Sequence, residues 1–225
     1  MKKTLLCFFW ILSILVTLCA CDYQDASYYH YEENEDGTLT IIGISETYSK
    51  TLKIPTEIDG KTVSTIGDFA FYNNDYIRKI VLPDSVLTIG ECAFADCNQL
   101  NTVSLGKSCT EIGLQAFEGC NSLQEITLSE NLKTISDLAF NGCLLLKEIN
   151  APKSLVEIGV GAFDHCEQLT IVTDQSEVAA QYAETYGIPT GFAESDSYMF
   201  LKLGIGIALA LGFVLLASYF FKKRK

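Results

Sequence analysis

The pairing in this chain with the most chemical potential is His165-Cys166, an imidazole beside a thiol. Such a pair activates a cysteine nucleophile when the two side chains face each other. Two observations argue against that here. Adjacent residues rarely converge, and Cys166 is one member of an evenly spaced set with Cys97, Cys120 and Cys143. A cysteine on a strict period has a packing role shared by every copy. The other histidine, His30, lies far away in the segment YYHYEENEDGTLTI. No Cys-x-x-Cys pair or clustered His/Cys spacing points to zinc, and no glycine-rich phosphate loop is present. Catalytic, cofactor and metal residues are therefore expected to be none. Cys92, outside the periodic set, is the thiol to examine for reactivity. Glu125 and Glu148 are another chemically notable pair. One period apart on successive strands, they would repel unless a cation or basic partner, or Lys147 and solvent, sits over them.

The elements that position these residues follow from the period. Phe71, Phe94, Phe117, Phe140 and Phe163 recur at one constant interval, the same as that of the cysteines, and each is preceded by alanine. A register this strict predicts a solenoid of stacked coils. Aligned on the phenylalanine, each copy opens as L-x-x-I-x-L, seen in Leu100, Val103 and Leu105 or Leu123, Ile126 and Leu128. The spacing of two is the strand period and turns both residues inward. A second apolar column, Ile66, Ile89, Ile112, Ile135 and Ile158, is followed by glycine except at Ser136, so a positive φ is not strictly required there. About a third of the positions in each copy point inward, so no copy has a core without its neighbours. Asn74 takes the cysteine slot in the first, degenerate copy. Both residue types are compact and can donate to turn carbonyls from the interior.

The L-x-x-I-x-L strand, the I-G step and the A-F-x-x-C closure resemble the BspA-like class of bacterial leucine-rich repeats, over roughly residues 30 to 191. The segment IPTEIDGKTVSTIGDFAF is similar to that family's entry repeat, and AAQYAETYGIPTGF to its exit, a short helix followed by extended chain. The resemblance implies a surface or envelope protein that recognises partners. It does not name a partner, because the family is defined by its scaffold.

The expected organisation is a signal peptide over 1–21, a β-hairpin cap over 22–50 turning at Asp36-Gly37, repeats over 51–173, a cap helix and linker over 174–197, a transmembrane helix over 198–221 and a basic tail over 222–225. Leu18-Cys19-Ala20-Cys21 resembles a lipobox that would place lipid on Cys21; ordinary cleavage nearby and an uncleaved anchor are the alternatives. Leu203 to Phe221 carries no charge and is long enough to span a hydrocarbon core of about 30 Å. The basic residues Lys222-Lys223-Arg224-Lys225 would stay in the cytoplasm and leave the repeats outside. Gly204, Ala208 and Gly212 make a small-residue stripe through which two such helices could pair as a homodimer.

Between Asp22 and Asp196 lie nine basic and 28 acidic residues, a net charge of −19. That argues against nonspecific nucleic-acid binding and docking of this domain on anionic lipid. The expected binding surface is the outward strand face. One column holds Lys79, Thr102, Glu125, Glu148 and Ile171, and the next holds Val81, Ser104, Thr127, Asn150 and Thr173. Leu144 and Leu145, where other copies have polar turns, read either as drift or as an exposed contact. The ladder cysteines are expected to be free thiols, although strand spacing does not forbid a disulfide. The expected function is noncatalytic: recognition of a protein or glycan near a bacterial membrane, with adhesion to host or other bacterial cells as the alternative. The reach favours the local role. About five coils give a rod of roughly 25 Å, and the linker from Phe192 to Ser197 adds about 20 Å when extended.

Overall fold

The computed structural model describes residues 26–45, 50–173 and 176–191. The proposed signal, Cys21 and the apolar stretch 198–221 lie outside the described residues. Among the described residues no helix is long and apolar enough to cross a membrane.

Two sheets run along the solenoid. The first contains β3 (Thr51–Lys53), β6 (Lys79–Val81), β8 (Thr102–Ser104), β10 (Glu125–Thr127), β12 (Glu148–Asn150), β14 (Thr170–Val172) and β15 (Thr190–Gly191), all parallel and in that order. The second runs β1 (Tyr29–Glu33), β2 (Leu39–Ile44), β5 (Lys61–Ile66), β7 (Thr88–Ile89), β9 (Glu111–Ile112), β11 (Thr134–Ile135) and β13 (Glu157–Ile158). The short β4 (Glu57–Ile58) pairs with β5 as a hairpin beside the second sheet. Strands of two or three residues are marginal alone; each is held because the next coil repeats its register.

The hairpin around Asp36-Gly37 forms, with β1 antiparallel to β2. Its second strand is also the first parallel rung of the second sheet, because β2 pairs with β5 and sets Ile41 opposite Ile66. Leu52 likewise sits opposite Ile80. Each sheet thus gains a rung ahead of those the phenylalanine period reveals.

The core is the predicted set of columns. Ile66, Ile89, Ile112 and Ile135 are buried, as are Ile80, Val103, Ile126 and Ile149. The phenylalanines stack in file with centroid separations of 5.1, 5.2, 5.2 and 5.3 Å and interplanar angles of 3 to 8°. Near-parallel planes at that separation must be offset, the arrangement the ring quadrupole favours. Alongside the rings runs a backbone ladder: the amides of Phe71, Phe94, Phe117 and Phe140 each donate at 2.8 Å to the carbonyl of the next copy's alanine.

The glycine after the isoleucine serves close approach. A Cβ on Gly113 would lie 2.7 Å from the Ile89 carbonyl oxygen, and one on Gly159 2.3 Å from the Asp137 nitrogen. Left-handed backbone occurs instead at two other columns: Phe69, Cys92, Gln115, Leu138 and Gly161, and Asn73, Asp96, Gly119, Gly142 and His165. These two positive-φ residues bend the chain around each Ala-Phe pair.

At the carboxyl end, α1 (Glu177–Tyr186) closes the file. Ser176 caps it through a hydrogen bond from the Ala179 amide, and Gly187 ends it at φ 68°. Tyr182 meets Phe163 edge-on at 5.9 Å, so the last ring has an aromatic neighbour in place of a further copy.

Candidate functional site

The ladder cysteines are built into the core. The thiols of Cys97, Cys120, Cys143 and Cys166 donate to the carbonyls of Phe71, Phe94, Phe117 and Phe140, at 3.2, 3.2, 3.3 and 3.2 Å. Each bond spans 26 residues and ties a copy to its predecessor. All six described cysteines are free thiols. Asn74 keeps the slot but reverses the bonding, since its side-chain oxygen accepts from the amides of Tyr76 and Ile77.

The Cys166 thiol is thus committed to Phe140, while His165 is exposed at a left-handed turn position. The structure does not bring the pair together as a nucleophile and base. His30, also exposed, bonds through Nε2 to the Ser45 hydroxyl at 2.9 Å. Cys92 is buried, and burial, followed by the charges of Glu91, Glu118, Asp68 and Asp96, pushes its thiol pKa up. That is the opposite of nucleophile activation. Burial likewise raises Cys97 to about 12 and Cys109 to about 11.

The outward strip forms a continuous surface. In one column Lys79 is opposite Thr102, Thr102 opposite Glu125, Glu125 opposite Glu148, and Glu148 opposite Thr170. In the next, Val81, Ser104 and Thr127 follow in register, and Asn150 faces Val172. Lys79, Glu125, Thr127, Glu148 and Asn150 are exposed, while Val81, Thr102 and Ser104 are partly so. Glu125 and Glu148 have no ion-pair partner among the described residues; Glu148 accepts a weak 3.3 Å hydrogen bond from Asn150.

One expected placement is corrected. Ile171 does not continue the outward column. It aligns with Ile149 and is fully buried, so Thr170 and Val172 take the places expected of Ile171 and Thr173. The last strand begins one residue sooner after Leu169 than β12 does after Leu146, and a one-residue shift exchanges the faces of a strand. Val172 is buried as well, so the open strip ends near Asn150.

The strip also extends further toward the amino end than the repeat spacing indicated. Thr51 and Lys53 stand in register with Lys79 and Val81. Leu144 and Leu145 are exposed, at 43% and 37%, in the turn before β12, one copy from Asn121-Ser122 and Glu167-Gln168. Among the described residues no group of three or more His, Cys, Asp or Glu is arranged to hold a metal ion.

The same repeat architecture is found in known proteins. A leucine-rich-repeat protein of T. pallidum, TpLRR, is 30% identical, with 67% of this chain and 71% of that chain aligned and a TM-score of 0.64. A leucine-rich-repeat protein from Bacteroides ovatus is 32% identical over 68% of this chain, has a TM-score of 0.60, and is covered over 41% of its own length. No curated protein matches. Residues 45–186 match the BspA type leucine rich repeat region in six copies, and the chain belongs to that family.

Proposed function

We propose that this is a noncatalytic, membrane-anchored envelope protein whose outward strand face recognises a protein or glycan near a bacterial membrane. The observation that carries the reading is the Glu125–Glu148 pair, two exposed carboxylates in register on parallel strands and without a cation among the described residues. Like charges placed side by side destabilise a sheet. On a scaffold that elsewhere selects each column for packing, an unneutralised pair on the open face is explained by a partner group that covers it. Around the pair, Thr102, Ser104, Thr127 and Asn150 offer hydroxyls and an amide as donors and acceptors. The anchoring part of the reading rests on the uncharged stretch from Leu203 to Phe221 and the basic tail after it.

Site-specific photocrosslinking in intact cells tests it. Crosslinkers placed at Thr102, Thr127 and Asn150 should capture one discrete partner that crosslinkers at Lys133 or Glu157, beside the second sheet, do not. Equal capture from both sheets removes the recognition face. Capture of material from a neighbouring cell, together with antibody access on intact cells, replaces the local role with adhesion. Retention of the chain in the soluble fraction, after removal of segment 1–21 alone, refutes the anchor.

A further inference from the structure

Nine basic residues lie between Asp22 and Asp196, and four of them gather at the first two rungs: Lys53 and Lys79 on the outward face, Lys50 and Arg78 at the positions just before the two strands. The gathering is built by backbone. The Lys50 carbonyl accepts from the amides of both Arg78 and Lys79, at 2.8 and 3.0 Å, which clips three cationic residues to one atom. All four are exposed. Lys50, Arg78 and Lys79 make no ion pair among the described residues, where the pairs found are Lys61 with Glu33 and Lys107 with Asp84. The strip is therefore polarised, cationic at its amino end and anionic at Glu125 and Glu148, on a domain of net charge −19. A cationic end on so acidic a domain concentrates anions there and repels them elsewhere.

An exposed aromatic residue precedes Arg78 by two positions in the chain. Tyr76 is 73% exposed and separated from Arg78 by the buried Ile77. Its carboxylate neighbour is Asp75, on the turn side. Tyr76 has none of the cover that Tyr182 has at the other end of the domain. Between the cations and the strip centre lie the hydroxyls of Thr102 and Ser104. A cavity lined by His165, Tyr186 and Pro189 lies at the carboxyl end, away from this face. Side-chain pockets of that kind are what peptide recognition uses for specificity. Cations for acidic groups, hydroxyls for hydroxyls and a ring for the apolar face of a sugar make a set suited to carbohydrate.

We infer that the amino-terminal end of the strip, Lys50, Arg78 and Lys79 with Tyr76 beside them, binds a glycan bearing acidic groups. This rests on the recognition reading above and names the ligand class for one end of the same face.

The test is binding of the full chain, in mild detergent, to immobilised polygalacturonate, with neutral dextran and polyglutamate as comparison surfaces. Binding to polygalacturonate that weakens with added salt and is absent on dextran is expected. Combined Lys50→Ala, Arg78→Ala and Lys79→Ala should weaken it by about tenfold. The combination Lys107→Ala, Lys133→Ala and Lys153→Ala removes the same charge from other positions and should change it by less than about twofold. Tyr76→Ala should weaken polygalacturonate binding by about threefold. Circular dichroism of each variant establishes that the fold is kept.

Equal loss from both triple variants overturns the site, because only net charge would then matter. Polyglutamate bound as tightly as polygalacturonate, with Tyr76→Ala silent, overturns it in favour of an acidic protein segment. No binding to polygalacturonate overturns it outright. In the last case specific crosslinks from Thr127 and Asn150 would leave the recognition reading standing, whereas their absence as well would remove both.

Discussion

Replacing one ring in the file gives a sharp test of how the solenoid is stabilised. Phe117 is fully buried and stacks on both sides, 5.2 Å from Phe94 and 5.2 Å from Phe140. Phe71, also buried, has one stacked neighbour, Phe94. Substitution by leucine keeps an apolar side chain of similar bulk and costs up to about 1.5 kcal/mol in packing. Each lost ring pair adds about 0.5–1.5 kcal/mol beyond area. Phe117→Leu should therefore cost about 1–4.5 kcal/mol and Phe71→Leu about 0.5–3 kcal/mol, the difference being one ring pair, about 0.5–1.5 kcal/mol. The assay is urea unfolding of the full chain in mild detergent, followed by far-ultraviolet circular dichroism. A double-mutant cycle adds a control from the same geometry. Phe71 and Phe140 are three rungs apart, about 15 Å, share no stacked ring and should be additive. Phe117 and Phe140 touch and should show coupling of about 1 kcal/mol. Equal costs for Phe71→Leu and Phe117→Leu, together with additivity of the touching pair, would refute the idea that neighbour-to-neighbour stacking holds the rod.

Three further outcomes follow from the same packing. The buried thiols have folded pKa values above the ordinary 9, so their stabilisation is complete below pH 9 and is lost as the pH rises through about 11 for Cys109 and about 12 for Cys97. At pH 10 this removes about 1.4 kcal/mol per thiol, and a urea midpoint that does not fall between pH 8 and 10, or falls equally in Cys97→Ala, refutes it. Gly113→Ala drives a Cβ to 2.7 Å from the Ile89 carbonyl and should destabilise by more than about 2 kcal/mol, whereas Gly60→Ala, with open space but φ +77°, should cost about 1 kcal/mol; the same urea titration ranks them. Glu148→Gln removes the repulsion with Glu125 and should raise the melting temperature by about 1 °C at low salt and not at about 1 M salt, as scanning calorimetry would read.

The spine was legible in the sequence because its columns are chemically uniform. Phenylalanine, alanine, isoleucine and cysteine at a fixed interval leave one solution for the core. What escaped was whatever did not repeat in kind. The left-handed column Phe69, Cys92, Gln115, Leu138 and Gly161 shares no side-chain chemistry, since its common property is backbone shape. Its companion, Asn73, Asp96, Gly119, Gly142 and His165, did carry a signal, because asparagine, aspartate, glycine and histidine are residues that tolerate positive φ. The first rung was hidden because Ile41 and Ile66 stand further apart than one regular repeat. The slip in the last strand was hidden because Ile171 and Val172 are both apolar. Of the recognition strip, the columns through Asn150 could be read directly. The cationic end could not, since Lys50 and Lys53 precede the regular copies and reach Arg78 and Lys79 only through strand pairing.

The thiol that reaches back across 26 residues to the preceding phenylalanine carbonyl gives each copy a plug and a socket of the same design. Interior copies are consequently interchangeable modules. Adding or deleting one whole module between Phe94 and Phe140 keeps the ring file and the thiol ladder in register, so the rod can change length without interrupting its spine.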